Sequence, residues 1–383
     1  MNYLICDLNI ERRGHYIGYN QYILDNISRF EENNPERRYS FLYNGEAKDC
    51  LVFPPYIKDR VYFLNDNSWN NSSLKDKTTL LRRVISFAEE KDIDHLLFMD
   101  LDQYQLSIFF CKFSFKLSGI LFRPHHRIAP SNATFSSRIL SWIQRSKKIV
   151  AEKLLVYTKQ VTNIYILNDE EGVKKLNLFH RTTKFKYLPD PIFTYYLPNV
   201  LKSQNEHKVF RFLVFGAINE RKNITAILKA YDASTFEINT ELVVVGASSN
   251  EVYLKHFNEF LKTLTTITPK KALTINASYV SNKEMDNYFA ESDACLLIYK
   301  DFYGSSGLLG RAALHKKKVI GANVGLLKNL IEQNKLGITC DPNNIKEISE
   351  SMTKIINIYI EPHFFESFYR KYSPELFMQT LLN

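Results

Sequence analysis

One stretch narrows the fold more than any other. The apolar run Ala294-Cys-Leu-Leu-Ile-Tyr299 is followed by Tyr303-Gly-Ser-Ser-Gly307, then by Leu308-Leu-Gly-Arg-Ala-Ala-Leu314, and then by a second apolar run, Lys318-Val-Ile-Gly-Ala322. A buried strand, a glycine-containing turn, a helix and another strand make a βαβ unit. Backbone N–H groups at such a turn and at the helix N-terminus favour an anion, and a diphosphate fits well. Ser305 and Ser306 add hydroxyl donors. On this stretch alone the plainer reading, a Gly/Ser connection between elements, stays open.

The same alternation runs along the whole chain. In the first half, Tyr3–Cys6, Ser40–Tyr43, Arg60–Leu64, His95–Met99, Ile120–Arg123 and Val161–Leu167 read as strands. Gly18–Phe30, Thr78–Glu90 and Gln105–Phe115 read as helices between them, and Asn168–Leu178 as loop and helix. Lys186–Pro191 reads as a last strand end with a proline-marked exit, and the polar, non-periodic Leu197–Lys208 as a linker. The second half repeats the scheme. Phe210–Phe215, Glu241–Gly246, Leu273–Tyr279, Leu296–Tyr299, Lys318–Ala322 and Gly337–Cys340 are its strands. Ile224–Asp232, Tyr253–Leu264 and Asn282–Glu291 are helices, and Ile345–Leu382 is largely helical.

Alternation of this kind gives parallel sheets covered by helices. At 383 residues the chain is too long for one ordinary core. The expected fold is therefore α/β, with two Rossmann-like, doubly wound domains. The first spans 1–200, with 360–383 as a candidate helix completing it, and the second spans 201–359. Ligands are expected at the carboxyl ends of the strands, in a cleft separating the two.

Composition removes other classes. Apolar content of 45% and 14% aromatic residues argue against disorder. No apolar run approaches the roughly 20 residues of a membrane helix. Asp7 comes too early for a secretory signal, so the N-terminus reads as a first strand. The five cysteines (Cys6, Cys50, Cys111, Cys295, Cys340) form no CxxC pair and read as thiols of a cytoplasmic protein.

A net charge of +9 invites an anionic partner. One basic tract is more structured, 137–155, where Ile139, Trp142, Ile143 and Val150 recur near helical spacing among Arg138, Arg145, Lys147, Lys148 and Lys153. This is an amphipathic basic helix, suited to the surface of an anionic membrane on its inner, cytoplasmic face. A helix that packs its apolar residues on its own domain is the alternative. Nucleic-acid binding would rest on charge alone, with no aromatic-basic pattern to support it, and is not expected.

Four segments carry a family resemblance. Phe215-Gly-Ala-Ile-Asn-Glu-Arg-Lys-Asn-Ile224 resembles a Gly-Arg-x-x-x-x-Lys-Gly loop. Ser281–Ala294 resembles a Ser-x-x-Glu-Leu-x-x-x-Tyr-x-x-Ala-Asp stretch. Tyr303–Ile320 resembles a Glu-x7-Glu donor motif, and Gly321–Gly337 its closing glycine-rich segment. The series resembles the second domain of GT-B retaining glycosyltransferases, the large family 4 group, over about a third of the chain. The resemblance implies sugar transfer from a nucleotide-diphosphate sugar to a glycan or lipid-linked acceptor. It implies no cofactor and no metal, because side-chain cations and backbone dipoles face the diphosphate. Both glutamates of the donor motif are replaced, by Tyr303 and Arg311, and the arginine of the Gly-Arg pair by Ala217.

The residues that would do this chemistry follow. Breaking a sugar–diphosphate bond builds negative charge on the leaving group, so fixed cations lower the barrier. Arg221 offers a planar fork and Lys222 a point charge. With Gly216, Tyr303, Ser305, Ser306, Gly307 and Arg311 they form the expected donor site. A surface arginine is the alternative for Arg311. From the first domain, Gly14 and His15 lie in a loop after the first strand that the resemblance brings near the donor phosphates. His125 or His126, after a strand end, is the candidate catalytic histidine, and the sequence does not choose between the rings. Asp102 is a candidate base or acceptor contact, against a helix-capping role. Two other functions fit the same residues: a non-catalytic sugar-nucleotide or glycan binder, which the replaced glutamates favour, and a nucleotide-sugar epimerase.

Overall fold

The computed structural model describes residues 1–10, 15–64, 73–127, 135–194, 209–248, 250–264, 270–302 and 304–383, with backbone alone at 15–16 and 135–138. The chain forms two compact units, one of 1–191 with 374–383 and one of 192–373.

The first unit is built in strict alternation. Its elements are β1 (Asn2–Asp7), α1 (His15–Asn33), β2 (Arg38–Asn44), α2 (Ala47–Cys50), β3 (Val61–Leu64), α3 (Leu74–Glu90), β4 (His95–Phe98), α4 (Gln105–Phe109), β5 (Lys116–Ile120), α5 (Phe135–Tyr157), β6 (Val161–Leu167), α6 (Glu170–His180) and β7 (Phe185–Leu188). The second unit follows as β8 (Phe210–Phe215), α7 (Ile224–Ala233), β9 (Thr240–Val245), α8 (Glu251–Leu261), β10 (Lys271–Asn276), α9 (Asn282–Glu291), β11 (Ala294–Leu297), α10 (Gly307–Leu314), β12 (Lys318–Ala322), α11 (Gly325–Gln333), β13 (Gly337–Cys340), α12 (Ile345–Asn357) and α13 (Pro362–Lys371). The final helix, α14 (Pro374–Leu382), belongs to the first unit, where Phe377 packs its ring 5.0 Å from Tyr19.

Each unit holds one parallel sheet. The first runs β3-β2-β1-β4-β5-β6-β7 and the second β10-β9-β8-β11-β12-β13. Strand order therefore reverses between β1 and β4, and again between β8 and β11. Loops that leave the carboxyl ends at such reversals are where doubly wound sheets bind ligands. The strands are apolar because helices cover both faces: Leu4, Ile5, Phe212 and Val244 are fully buried. Cys6, Cys295 and Cys340 are buried free thiols.

Two expected elements differ from their sequence pattern. The strand expected over Ile120–Arg123 lies earlier, as β5 at Lys116–Ile120, and shares only Ile120 with the expected range. The next N–H groups go elsewhere: Phe122 and Arg123 donate to the Asp102 carboxylate, at 2.7 and 3.3 Å. The helix expected over Gln105–Phe115 stops at Phe109. Phe110 and Cys111 close a tighter turn onto Ser107 and Ile108, and Phe113 stacks on Phe115 in the core.

The basic tract forms α5 but buries the opposite side from the one an ordinary amphipathic helix would. Ile139, Leu140, Trp142, Ile143 and Val150 are exposed, Trp142 at 69%. Among its described side chains, Ala151, Glu152 and Leu155 are the ones it buries. The helix does pack on its own domain, through Ala151 and Leu155, but not through the apolar residues Ile139, Trp142, Ile143 and Val150. Among the described residues, no helix is long and apolar enough to cross a membrane.

Candidate functional site

In the second unit, β8 ends at Phe215 and the chain turns sharply at Gly216, which has φ +104°. A side chain there would be strained, and its Cβ would stand 3.0 Å from the Lys222 Nζ. A 3-10 turn, Glu220–Lys222, follows, with the Asn219 side chain accepting from the Lys222 N–H. The N–H of Lys300 donates to the Arg221 carbonyl at 2.9 Å, which ties this turn to the segment leaving β11.

These ties bring the expected donor residues together. Lys222 is 5% exposed, and its Nζ donates to the Tyr299 hydroxyl at 3.0 Å while lying 4.4 Å from the ring centre. The same phenolic oxygen is 3.2 Å from the Ser306 Oγ. Arg221 is exposed and covers the ring of Phe302, at 5.1 Å. Burial, and secondarily the Arg221 charge, pull the Lys222 amine down to about 7. Burial pushes the Tyr299 phenol up, so it stays protonated. Among the described residues no carboxylate forms an ion pair with Lys222. A buried cation without a counter-ion is unfavourable, and a bound anion would supply one.

The turn before α10 carries strain. Ser306 has φ +58°, a left-handed conformation uncommon outside glycine, and it precedes the first residue of the helix. Ser305 is half-buried beside it. Gly307 opens α10 in free space: a Cβ there would meet nothing within 4 Å. The N–H groups of this turn thus remain approachable.

Arg311 sits elsewhere. It is 7% exposed, with Nη1 donating to the Phe193 carbonyl at 2.8 Å and pairing with Asp286 of α9 at 3.1 Å. His315 meets the same Asp286 oxygen at 2.9 Å. The surface-arginine alternative is excluded, and Arg311 anchors α10 to α9.

In the first unit the candidates fall into two clusters. Asp102 does not cap α4, whose N-cap is Tyr104. Besides the two backbone N–H groups it accepts from Lys148 of α5 at 2.7 Å. The helix-capping explanation is thereby replaced by a clamp joining β5's exit to α5. Asp100, which accepts the Asp102 N–H, lies near a carboxylate that sequence reasoning passed over. Asp7 is 1% exposed and accepts from Asn9 at 3.0 Å and from Asn20 at 2.6 Å. Burial raises its carboxyl to about 7, against those hydrogen bonds.

The two histidines have distinct surroundings. His125 is 4% exposed, and its backbone N–H and Nδ1 both meet Glu152 of α5, at 2.7 and 2.5 Å. His180, the last residue of α6, meets the same carboxylate at 3.1 Å. Burial would raise Glu152, but the hydrogen bonds from His125 and His180 outweigh it and hold the carboxyl at about 2. The ligating atoms of His125, Glu152 and His180 lie within 4.8 Å of one another, the one grouping of this kind among the described residues. His126 instead places Nε2 2.9 Å from Asp169, which also pairs with Arg127. Asp169 caps α6 by accepting from the Gly172 N–H at 2.7 Å. The Nδ1 of His126 is buried and has no hydrogen-bond partner. Glu152 and Asp169 were not foreseen; the one acidic residue between Lys148 and Lys153 is the signal by which Glu152 could have been found.

Gly14 and Tyr303 lie outside the described residues, as does the side chain of His15, whose backbone opens α1.

Residues 199–371 match the model of the family described as glycosyl transferases group 1. No curated protein matches the chain by sequence. Three solved structures are similar over its whole length. WaaG, described as a glycosyltransferase involved in lipopolysaccharide biosynthesis, has a TM-score of 0.64 at 13% identity, covering 99% of this chain and 99% of that one. Sucrose-phosphate synthase from Thermosynechococcus elongatus has a TM-score of 0.64 at 12% identity, covering 100% and 95%. HepE from Anabaena, solved with UDP and glucose, has a TM-score of 0.62 at 12% identity, covering 100% and 98%. At these identities the likeness shows the fold, two Rossmann-like domains of GT-B type.

Proposed function

We propose that this chain, whose residues 199–371 match the glycosyl transferases group 1 model, is a glycosyltransferase that takes its sugar from a nucleotide-diphosphate donor. The acceptor in this reading is a glycan or a lipid-linked sugar, and the transfer proceeds with retention. One observation carries the donor assignment: Lys222 is a buried amine without a carboxylate partner among the described residues, joined through Tyr299 to the hydroxyl at the start of α10. The UDP and glucose held by the Anabaena structure favour the same donor class.

The chemistry follows from charge. As the sugar–phosphate bond lengthens, negative charge gathers on the leaving diphosphate. Lys222, Arg221 and the N–H groups at Ser306 and Gly307 are fixed to receive it, and fixed dipoles need no rearrangement during reaction. The chain's own cations fill this role, so the reading requires no metal. Arg311 supports α10 from beneath rather than contacting the donor.

In the first unit, the proposal selects His126. Asp169 holds its Nε2, which leaves the buried Nδ1 without a partner, an acceptor for a substrate hydroxyl once the side chains over it part. His125 is assigned the positioning of α5 and α6 through Glu152. Asp102, already saturated with donors, is assigned a structural clamp. For α5, the exposed apolar residues with Arg145, Lys147 and Lys153 favour peripheral contact with an anionic membrane on its cytoplasmic face. Lys148 is taken from that surface by Asp102.

The test is a panel of nucleotide sugars screened for thermal stabilisation, followed by measurement of nucleotide release with and without acceptor. Stabilisation with acceptor-dependent release supports the transferase. Stabilisation without release would replace it with the non-catalytic binder.

A further inference from the structure

We propose that Tyr299 is a positioning residue that joins Lys222 to Ser306 in a directed hydrogen-bond relay. This rests on the donor-site reading above, and it assigns a role to a residue outside the family-like segments.

The direction follows from the inventory of protons. A lysine ammonium only donates, so the 3.0 Å contact uses the phenolic oxygen of Tyr299 as acceptor. Among the described residues the single Tyr299 proton then has one further partner in reach, the Ser306 Oγ at 3.2 Å. With its oxygen accepting, the Ser306 O–H is released to donate outward. The order is Lys222 to Tyr299 to Ser306 to an incoming anion. Each bond polarises the next, most strongly where water is excluded. Tyr299 is 2% exposed and Lys222 5%. Among the described residues, the charged or titratable groups facing the Lys222 amine are Arg221 from its own turn and Tyr299 from the segment after β11.

The geometry also explains why the turn tolerates strain. Ser306 sits at φ +58°, where glycine would be easier. A glycine would end the relay at Tyr299 and leave the phenol proton unpaired.

The relay separates from mere packing by a titration. Tyr299→Phe keeps the ring and its volume and removes only the oxygen. Lysine labelled at 13Cε gives one resonance for Lys222, identified by its loss in Lys222→Ala. The expected result is a Lys222 midpoint at lower pH in Tyr299→Phe than in the parent, because the ammonium loses an acceptor. UDP-glucose and GDP-mannose serve as probes, and whichever binds should bind about tenfold more weakly to Tyr299→Phe. Ser306→Ala, at the far end, should weaken the same probe while moving the lysine midpoint less; it also serves if Tyr299→Phe does not fold. A midpoint and an affinity both unchanged in Tyr299→Phe would overturn the relay. If neither probe binds the parent, the donor reading fails, and the lysine titration alone decides the relay: an unmoved midpoint rejects it.

Discussion

The Lys222 amine lies 3.0 Å from the Tyr299 hydroxyl, and no carboxylate among the described residues balances its charge. Lys222→Ala should therefore lower sugar transfer by about 100-fold or more, the scale of losing one fixed transition-state donor. Thermal unfolding should change little, because removing a desolvated amine relieves as much as it loses. Unchanged nucleotide release would take Lys222 out of the site.

The same burial makes donor binding depend on pH. With the free amine at about 7, it is mostly charged at pH 6 and mostly neutral at pH 8. A diphosphate prefers the charged form, so binding must take up a proton as pH rises. The affinity of a nucleotide sugar, whose own phosphates do not titrate here, should fall roughly tenfold from pH 6 to pH 8. Calorimetry showing a flat profile, or a rise, would contradict this.

Glu152 predicts an acid limb in stability. Its folded value is depressed from 4.5 to about 2, so its contribution is fully present above 4.5 and lost as pH falls toward 2. The contribution is roughly 3 kcal/mol. Urea unfolding at pH 5 and pH 3 should show the difference, and Glu152→Gln should remove most of it. His125→Ala should behave likewise, whereas His126→Ala should lower turnover with a smaller loss of stability. The reverse pattern would exchange the roles assigned to the two rings.

The exposed side of α5 predicts surface binding. Trp142→Ser with Arg145→Glu and Lys147→Glu should reduce sedimentation with vesicles containing phosphatidylglycerol several-fold, without moving the unfolding temperature. Equal sedimentation would remove the membrane from the reading.

Gly172 is pressed against Asp169 and the His126 ring, where a Cβ would collide with both. Gly172→Ala should cost about 1–3 kcal/mol of stability. It should also lower turnover by displacing His126; full activity would detach that ring from the reaction.

Much of the architecture was legible because local and global signals agree. β6, β8, β12 and β13 carry the bounds read from their apolar runs, and α9 begins just after Ser281, its N-cap, whose side chain forms a capping box with Glu284. β5 and α4 were not legible. A carboxylate twenty residues away takes the N–H groups that would extend β5, and no local pattern announces that. The Lys222 and Ser306 segments could be read as parts of a site, but not the phenol joining them, nor Glu152 and Asp169 beneath the histidines. Those partners are set by tertiary packing. The exposed apolar side of α5 was hidden for a related reason: periodicity tells which residues share a face, not which face meets the core.

The left-handed backbone at Ser306 sets thermal robustness against substrate grip. Replacing this serine with glycine would relax the turn and raise the melting temperature by a few degrees, since about 1 kcal/mol of strain is released. The hydroxyl would go with it. A programme that selected variants for heat resistance alone would be drawn to this position, and would pay in catalysis for what it gained in endurance.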